Sequence, residues 1–263
     1  MDEVSLKFKS RQTLRYFIEF SYFGKAYHGW QRQPNAITVQ EALEETISKL
    51  LRADISLVGA GRTDAGVHAR QMFAHFDVDE IDHLGDLVYR LNAFLEDDVS
   101  VKRIFEVAEN AHARFDALQR TYEYWLVQQK NPFLMEKAHY VKQPLNVEKM
   151  NEAAVLLLNH RDFECFSKSN TDVKTFLCDI NKAFWENKND MLVFTISADR
   201  FLRNMVRAIV GTLLEVGQGK IEVAYVKTIL KSKDRAQAGP SVPAKGLYLT
   251  EIIYPSSILA IND

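Results

Sequence analysis

The sequence predicts an α+β fold with antiparallel strand pairs in a mixed, largely antiparallel sheet and helices packed on it. Three observations carry this. Alternation with period two recurs: Leu14, Tyr16, Ile18, Phe20 and Tyr22 alternate with Arg15, Glu19 and Ser21, less tidily at Phe17, and Met72, Ala74, Phe76 and Val78 repeat the pattern. Helical stripes are few, and strand neighbours are often joined by short turns. Both halves of the chain mix strands and helices in similar proportion, which permits a diverged duplication, although no direct repeat is legible.

A loop rich in polar and aromatic residues follows the first strand. Thr38 then opens a capping box with Glu41, and Val39, Leu43, Ile47, Leu50 and Leu51 form the apolar stripe of a helix. Ile55, Leu57 and Val58 read as a short strand that feeds a glycine-rich turn. After the strand at Met72 to Val78, a helix is predicted from Asp86 to Leu95 through Leu87, Val88, Leu91 and Phe94, and Val99 to Val107 returns as a strand. This completes a first unit, residues 1–110. The second, residues 111–263, opens with the strand Tyr122, Tyr124, Leu126 and continues with a helix from Asn146 through Met150, Ala154 and Leu157. The turn Asn187-Lys188-Asn189-Asp190 joins a strand ending near Trp185 to one from Met191 to Ile196. Helices at Phe201 to Val216 and Val223 to Leu230, a loop bearing Pro240 and Pro243, and a strand from Gly246 to Tyr254 complete the pattern. No linker is rich enough in Gly, Pro or Ser to mark independent domains.

The 263 residues, 47% hydrophobic and 26% charged, suffice for one large core or two smaller ones. The charged stretch Met1 to Arg15 lacks the apolar segment of a signal peptide, and no run approaches ~20 uninterrupted apolar residues, so a cytoplasmic location without a membrane is expected. Cys165 and Cys178 lack C-x-x-C spacing and read as buried thiols. A net charge of −2 argues against a protein that coats nucleic acid over its whole surface, so any RNA site must be a local basic face. Arg62 and Arg70 flanking Asp64, Arg114 with Arg120, and Arg200, Arg203 and Arg207 are the candidates. Acidic residues group elsewhere, at Asp77 to Asp82 and Glu96 to Asp98.

The most informative segment is Gly59 to Ala69, GAGRTDAGVHA, which sets Asp64 between Arg62 and His68 within a glycine-rich turn. A dinucleotide-binding reading fails, because the third glycine of G-x-G-x-x-G would fall on Asp64, where an acid repels a pyrophosphate. From spacing alone, Asp64 is either a displayed reactive acid or a turn residue that accepts backbone hydrogen bonds. On a helix through Phe201 to Val216, Arg200, Arg203, Asn204, Arg207 and Gly211 share one side, opposite Leu202, Met205, Val206, Ile209 and Leu213. Trp30 is expected to be exposed in its polar loop, where Arg32 and Gln40 add hydrogen-bonding groups and join it as candidate RNA contacts. His68 and His75 have no matching acidic or thiol ligands, so no metal site is predicted.

GRTDAGVH (Gly61 to His68) resembles the signature of the TruA-type tRNA pseudouridine synthases. The resemblance runs through nearly the whole chain: YHGWQRQ (Tyr27 to Gln33) with Val39-Gln40, HARF (His112 to Phe115), R-T-Y (Arg120 to Tyr122), NMVR (Asn204 to Arg207) and GLYL (Gly246 to Leu249) follow in the family's order. It implies a pseudouridine synthase fold, two halves sharing one continuous sheet with the catalytic cleft between them. It implies an isomerase of uridines at positions 38, 39 and 40 in the anticodon arm of tRNA, a homodimer, with no cofactor and no metal. Asp64 falls on the catalytic aspartate, acting at ribose C1′ or at uracil C6, and both points of attack stay open. Arg207 would orient that carboxylate, Tyr122 would stack on the flipped uracil and take or relay the C5 proton, and Leu247 would close the other side of the base pocket. Arg62 and His68 would bind substrate beside Asp64; Arg120, Arg200 and Arg203 are candidate RNA contacts. Asp116 and Thr121 depart from the commoner HARF-[ST]-A and RRY forms, and Asp116 sets a negative charge near the RNA path.

Overall fold

The computed structural model describes residues 13–168 and 174–259. The reading of the charged N-terminal stretch falls, apart from residues 13–15, outside them. Among the described residues nine strands form one sheet: β1 (Thr13–Tyr22), β2 (Val58–Gly59), β3 (His68–Asp79), β4 (Val99–Val107), β5 (Gln119–Val127), β6 (His139–Tyr140), β7 (Ile180–Lys188), β8 (Met191–Ala198) and β9 (Leu247–Ile253). Their order is β4-β1-β3-β9-β5-β8-β7, with β2 on β3 and β6 on β5. Only β3 with β9 and β5 with β6 run parallel, so the sheet is mixed and largely antiparallel as predicted.

The helices are α1 (Val39–Leu51), α2 (Leu84–Phe94), α3 (Val147–Leu158), α4 (Met205–Gly217), α5 (Tyr225–Ser232) and α6 (Ser256–Leu259). Two of them start where the sequence places them. Thr38 Oγ1 accepts from the Glu41 amide at 3.3 Å, and Asn146 Oδ1 from that of Lys149 at 2.9 Å, each satisfying an amide that has no partner within its helix. The β7–β8 hairpin turns at Asn189 and Asp190, both at positive φ (51° and 61°), the conformation a two-residue hairpin turn with the right twist requires. Among the described residues no helix is long and apolar enough to cross a membrane.

Two apolar cores lie along the sheet. One packs Phe17, Phe20, Phe73 and Phe76 with Leu43 and Ile47 of α1 and Leu91 of α2; the other packs Tyr124 and Phe194 with Met150 of α3, Val210 of α4 and Ile229 of α5. The last strand joins them, giving Leu247 to the second core and Leu249 and Ile252 to the first. The joint is narrow: β3 and β9 pair only at His68 with Tyr248 and Ala69 with Leu249, after which Gln71 Oε1 accepts from the Ile252 amide at 2.8 Å. Tyr122 packs against both cores.

Three elements differ from expectation. Ile55 and Leu57 are buried but make no ladder, and the strand shrinks to Val58–Gly59. Phe94 ends α2 pointing outward, 70% exposed. The predicted helix at Phe201 begins only at Met205, because Asn204 takes a left-handed conformation (φ 65°) that breaks helical continuity. Arg200 and Arg203 therefore lie on the preceding loop. α4 has no broad cationic face either, since nearly every position other than Arg207 and Glu215 is buried. Gly211 makes this burial feasible: a Cβ there would stand 1.7 Å from the Pro240 carbonyl oxygen, so the proline loop lies directly on the helix backbone.

Candidate active site

Asp64 sits in a turn held from several sides. The Ala60 amide donates to Phe73 at 2.8 Å, and Val67 donates back to the Asp64 carbonyl at 3.1 Å. Tyr22 and Thr63 share a hydroxyl hydrogen bond of 2.8 Å, fixing the residue just before the acid. The Trp30 amide reaches the Thr63 carbonyl at 3.3 Å, an approach that needs Gly29: its φ is +91°, and a Cβ there would lie 2.4 Å from that same oxygen. Nothing local in the sequence marks Tyr22 and Thr63 for this role, since Tyr22 reads there only as one more apolar site on a strand.

The Asp64 side chain is 27% exposed, and its carboxylate faces the second half of the chain. Arg207 Nη1 donates to Asp64 Oδ2 at 3.3 Å across 143 residues of sequence, and Arg203 Nε stands 3.9 Å from Oδ1. Arg207 is itself aimed, because its Nε donates to the Val242 carbonyl at 2.8 Å. The two motifs therefore meet, one from each side of the joint.

Tyr122, on β5, packs edge-to-face on Phe201 with ring centroids 5.2 Å apart. Among the described residues its hydroxyl has no hydrogen-bond partner. Burial pushes this phenol up to about 12; nearby Arg120 opposes the rise and the Asp64 charge adds to it. Tyr122 thus keeps its proton at neutral pH with its hydroxyl within electrostatic reach of Asp64. Leu247 is buried in the second core on the neighbouring strand, where it pairs with Tyr124. Arg62 and Arg203 are exposed and Arg200 is half-buried.

Four other candidates turn out to hold the scaffold. Trp30 is buried, not exposed, and stacks on Phe20 at 5.4 Å, since its indole completes the core under α1. The Gln40 amide accepts from the Arg32 amide at 3.0 Å and donates to Glu44 at 2.8 Å and to the Leu57 carbonyl at 3.0 Å. Arg32 is half-exposed and pairs with Glu41 and Glu44, each at 3.4 Å. His68 is buried between Phe23 and Tyr248; Nδ1 accepts from the Gly24 amide at 2.9 Å and Nε2 meets the Lys245 carbonyl at 3.1 Å. Burial pushes its pKa down to about 4, so the ring is neutral and both nitrogens are engaged, leaving none for substrate.

Arg120 is a clamp. Its guanidinium donates to four carbonyls: Ala117 (2.9 Å) and Asp199 (2.7 Å) from Nη1, Ala60 (3.0 Å) and Arg114 (2.6 Å) from Nη2. That geometry leaves little of the fork for RNA. Arg120→Met keeps the stem but strips these carbonyls of their donors, and is expected to lower stability by about 2–3 kcal/mol. Urea unfolding checks this; a loss below about 0.5 kcal/mol would mean that water replaces the guanidinium at no cost.

Comparison with known proteins gives the family. The family model described as tRNA pseudouridine synthase matches residues 19–116 and 153–255. A protein named tRNA pseudouridine synthase A from Parabacteroides distasonis is 49% identical over 252 residues, spanning 95% of this chain and 99% of the relative. Its namesake from Bacteroides thetaiotaomicron is 49% identical over 249 residues (94% and 93%), and that from Thermoanaerobacter pseudethanolicus 41% over 239 residues (90% and 98%). Fold and matches define the class, that of the pseudouridine synthases, isomerases of uridine in tRNA. Within that class the chain belongs to the TruA-type family, tRNA pseudouridine synthase A.

Proposed function

We propose that the protein converts uridine to pseudouridine at positions 38, 39 and 40 of the anticodon stem and loop of tRNA, with Asp64 acting on a flipped-out uridine. The reaction breaks the N1–C1′ bond, turns the freed uracil and joins C5 to C1′, with the C5 proton lost and N1 protonated; substrate and product are isomers. The work required is that of one carboxylate, at C1′ or C6, in a site that retains the detached base. The observation that carries this reading is the Asp64–Arg207 contact at 3.3 Å, which brings the acid of one motif onto the arginine of another beside the Tyr122 ring.

In this reading Tyr122 stacks on the uracil, and with its proton held to about 12 its hydroxyl acts as a relay and hydrogen-bonding group rather than as a phenolate base. Leu247 backs the base pocket, and Arg62, Arg200 and Arg203 reach the RNA backbone. Residues 1–110 supply the acid loop, and residues 111–263 the tyrosine and the arginine. Mass spectrometry or carbodiimide mapping of tRNA incubated with the purified protein tests the assignment. Pseudouridine at positions 38 to 40 is the expected result, and an unmodified anticodon arm would overturn it.

The protein is further read as a cytoplasmic homodimer, because a chain whose 33 lysines and arginines are offset by 35 acidic residues has little net positive surface with which to hold a whole tRNA. Light scattering at micromolar concentration is expected to give twice the 30.2 kDa of one chain. A monomer mass with full activity would refute the dimer.

A further inference from the structure

The loop from His112 to Leu118 is firmly built yet displays an aromatic ring to solvent. The Ala113 amide donates to His75 Nδ1 at 3.1 Å, and its carbonyl accepts from the Tyr254 hydroxyl. Asp116 Oδ2 caps the His112 amide at 2.6 Å, while His112 Nδ1 accepts from the amides of Arg114 (3.1 Å) and Phe115 (3.3 Å). Phe115 is nevertheless 75% exposed, so this firmly held loop presents ring surface to a partner. One face lies tilted on the His112 ring (centroids 4.2 Å apart), with the Arg114 guanidinium 5.8 Å from the Phe115 centroid, so the other face is the one open to a base.

This loop is continuous with the site. Arg120 bolts the Arg114 carbonyl to that of Ala60, four residues before Asp64, and to that of Asp199, which precedes the Arg200 to Arg207 segment. The charge there suits a polyanion: Arg114 and Arg62 are exposed, while Asp116 turns its carboxylate onto a backbone amide. Flipping a uridine leaves its neighbours short of a stacking partner, and an aromatic face is what an unstacked base accepts regardless of sequence.

We propose that Phe115 is an RNA-stacking residue, taking an unstacked base of the tRNA strand beside the target uridine, with Arg114 on the adjoining phosphate. The inference rests on the tRNA reading above. Phe115→Ala is expected to raise KM for tRNA and weaken binding roughly 10- to 100-fold, the range of one lost base–aromatic stack, with kcat changed by less than about threefold. Phe115→Trp should restore affinity and show indole emission quenched as tRNA is added, relative to the parent. Thermal unfolding of both variants should match the parent, because the ring is mostly exposed. Affinity within about twofold of the parent for Phe115→Ala would overturn the proposal. So would a shift from dimer to monomer with tRNA affinity unchanged, which would make the ring a contact between copies. A parent protein that forms no pseudouridine would instead defeat the reading on which the proposal rests.

Discussion

Asp64→Asn is expected to abolish pseudouridine formation, by roughly a thousandfold or more in turnover, while tRNA affinity stays within a few-fold. The amide has the shape of the carboxylate but neither its charge nor its nucleophilicity, so both routes open to Asp64, attack at C1′ and attack at C6, lose their reagent. The fold should not suffer. The turn is held by Thr63, Trp30, Val67 and Gly29 rather than by the Asp64 side chain, which is 27% exposed. Removing one negative charge beside Arg203 and Arg207 also leaves the site more cationic, which favours a polyanion if it changes binding at all. Single-turnover assays with binding measured in parallel separate the two effects. Substantial turnover in the variant would show that the reacting group lies elsewhere.

Asp64 and Arg207 stand out in the sequence, and the scaffold contacts of Trp30, His68 and Arg120 do not, for a physical reason. An acid in a glycine turn and an arginine near the start of an apolar helix are locally incongruous, and the family motifs single out the same two positions. Scaffold residues in the same motifs share the chemistry of RNA contacts: a tryptophan, a histidine, an arginine fork. Only tertiary structure shows that the Trp30 indole lies on Phe20, that both His68 nitrogens meet backbone groups, and that Arg120 meets four carbonyls. Strands and capped helices were legible because Thr38, Asn146 and the Asn189-Asp190 turn act on their near neighbours. The late start of α4 was not, since Asn204 leaves the helical region while its side chain donates to Ser241, 37 residues away.

Arg207→Lys is expected to lower turnover by about a hundredfold with a much smaller change in tRNA binding, the cost of a reacting group misplaced by about an ångström. Geometry rather than charge sets this expectation. Arg207 donates through Nε to the Val242 carbonyl at 2.8 Å and through Nη1 to Asp64 at 3.3 Å, so one rigid fork ties the carboxylate to the proline loop that lies on α4. A lysine carries the same charge at a single point on a flexible stem. It can reach the carbonyl or the carboxylate in turn, but it does not fix the angle between them. Arg203, at 3.9 Å and 60% exposed, cannot substitute, and Arg203→Gln should change turnover far less than Arg207→Lys does. If Arg207→Lys turned over like the parent, charge alone would suffice beside Asp64, and the Val242 bond would be incidental to catalysis.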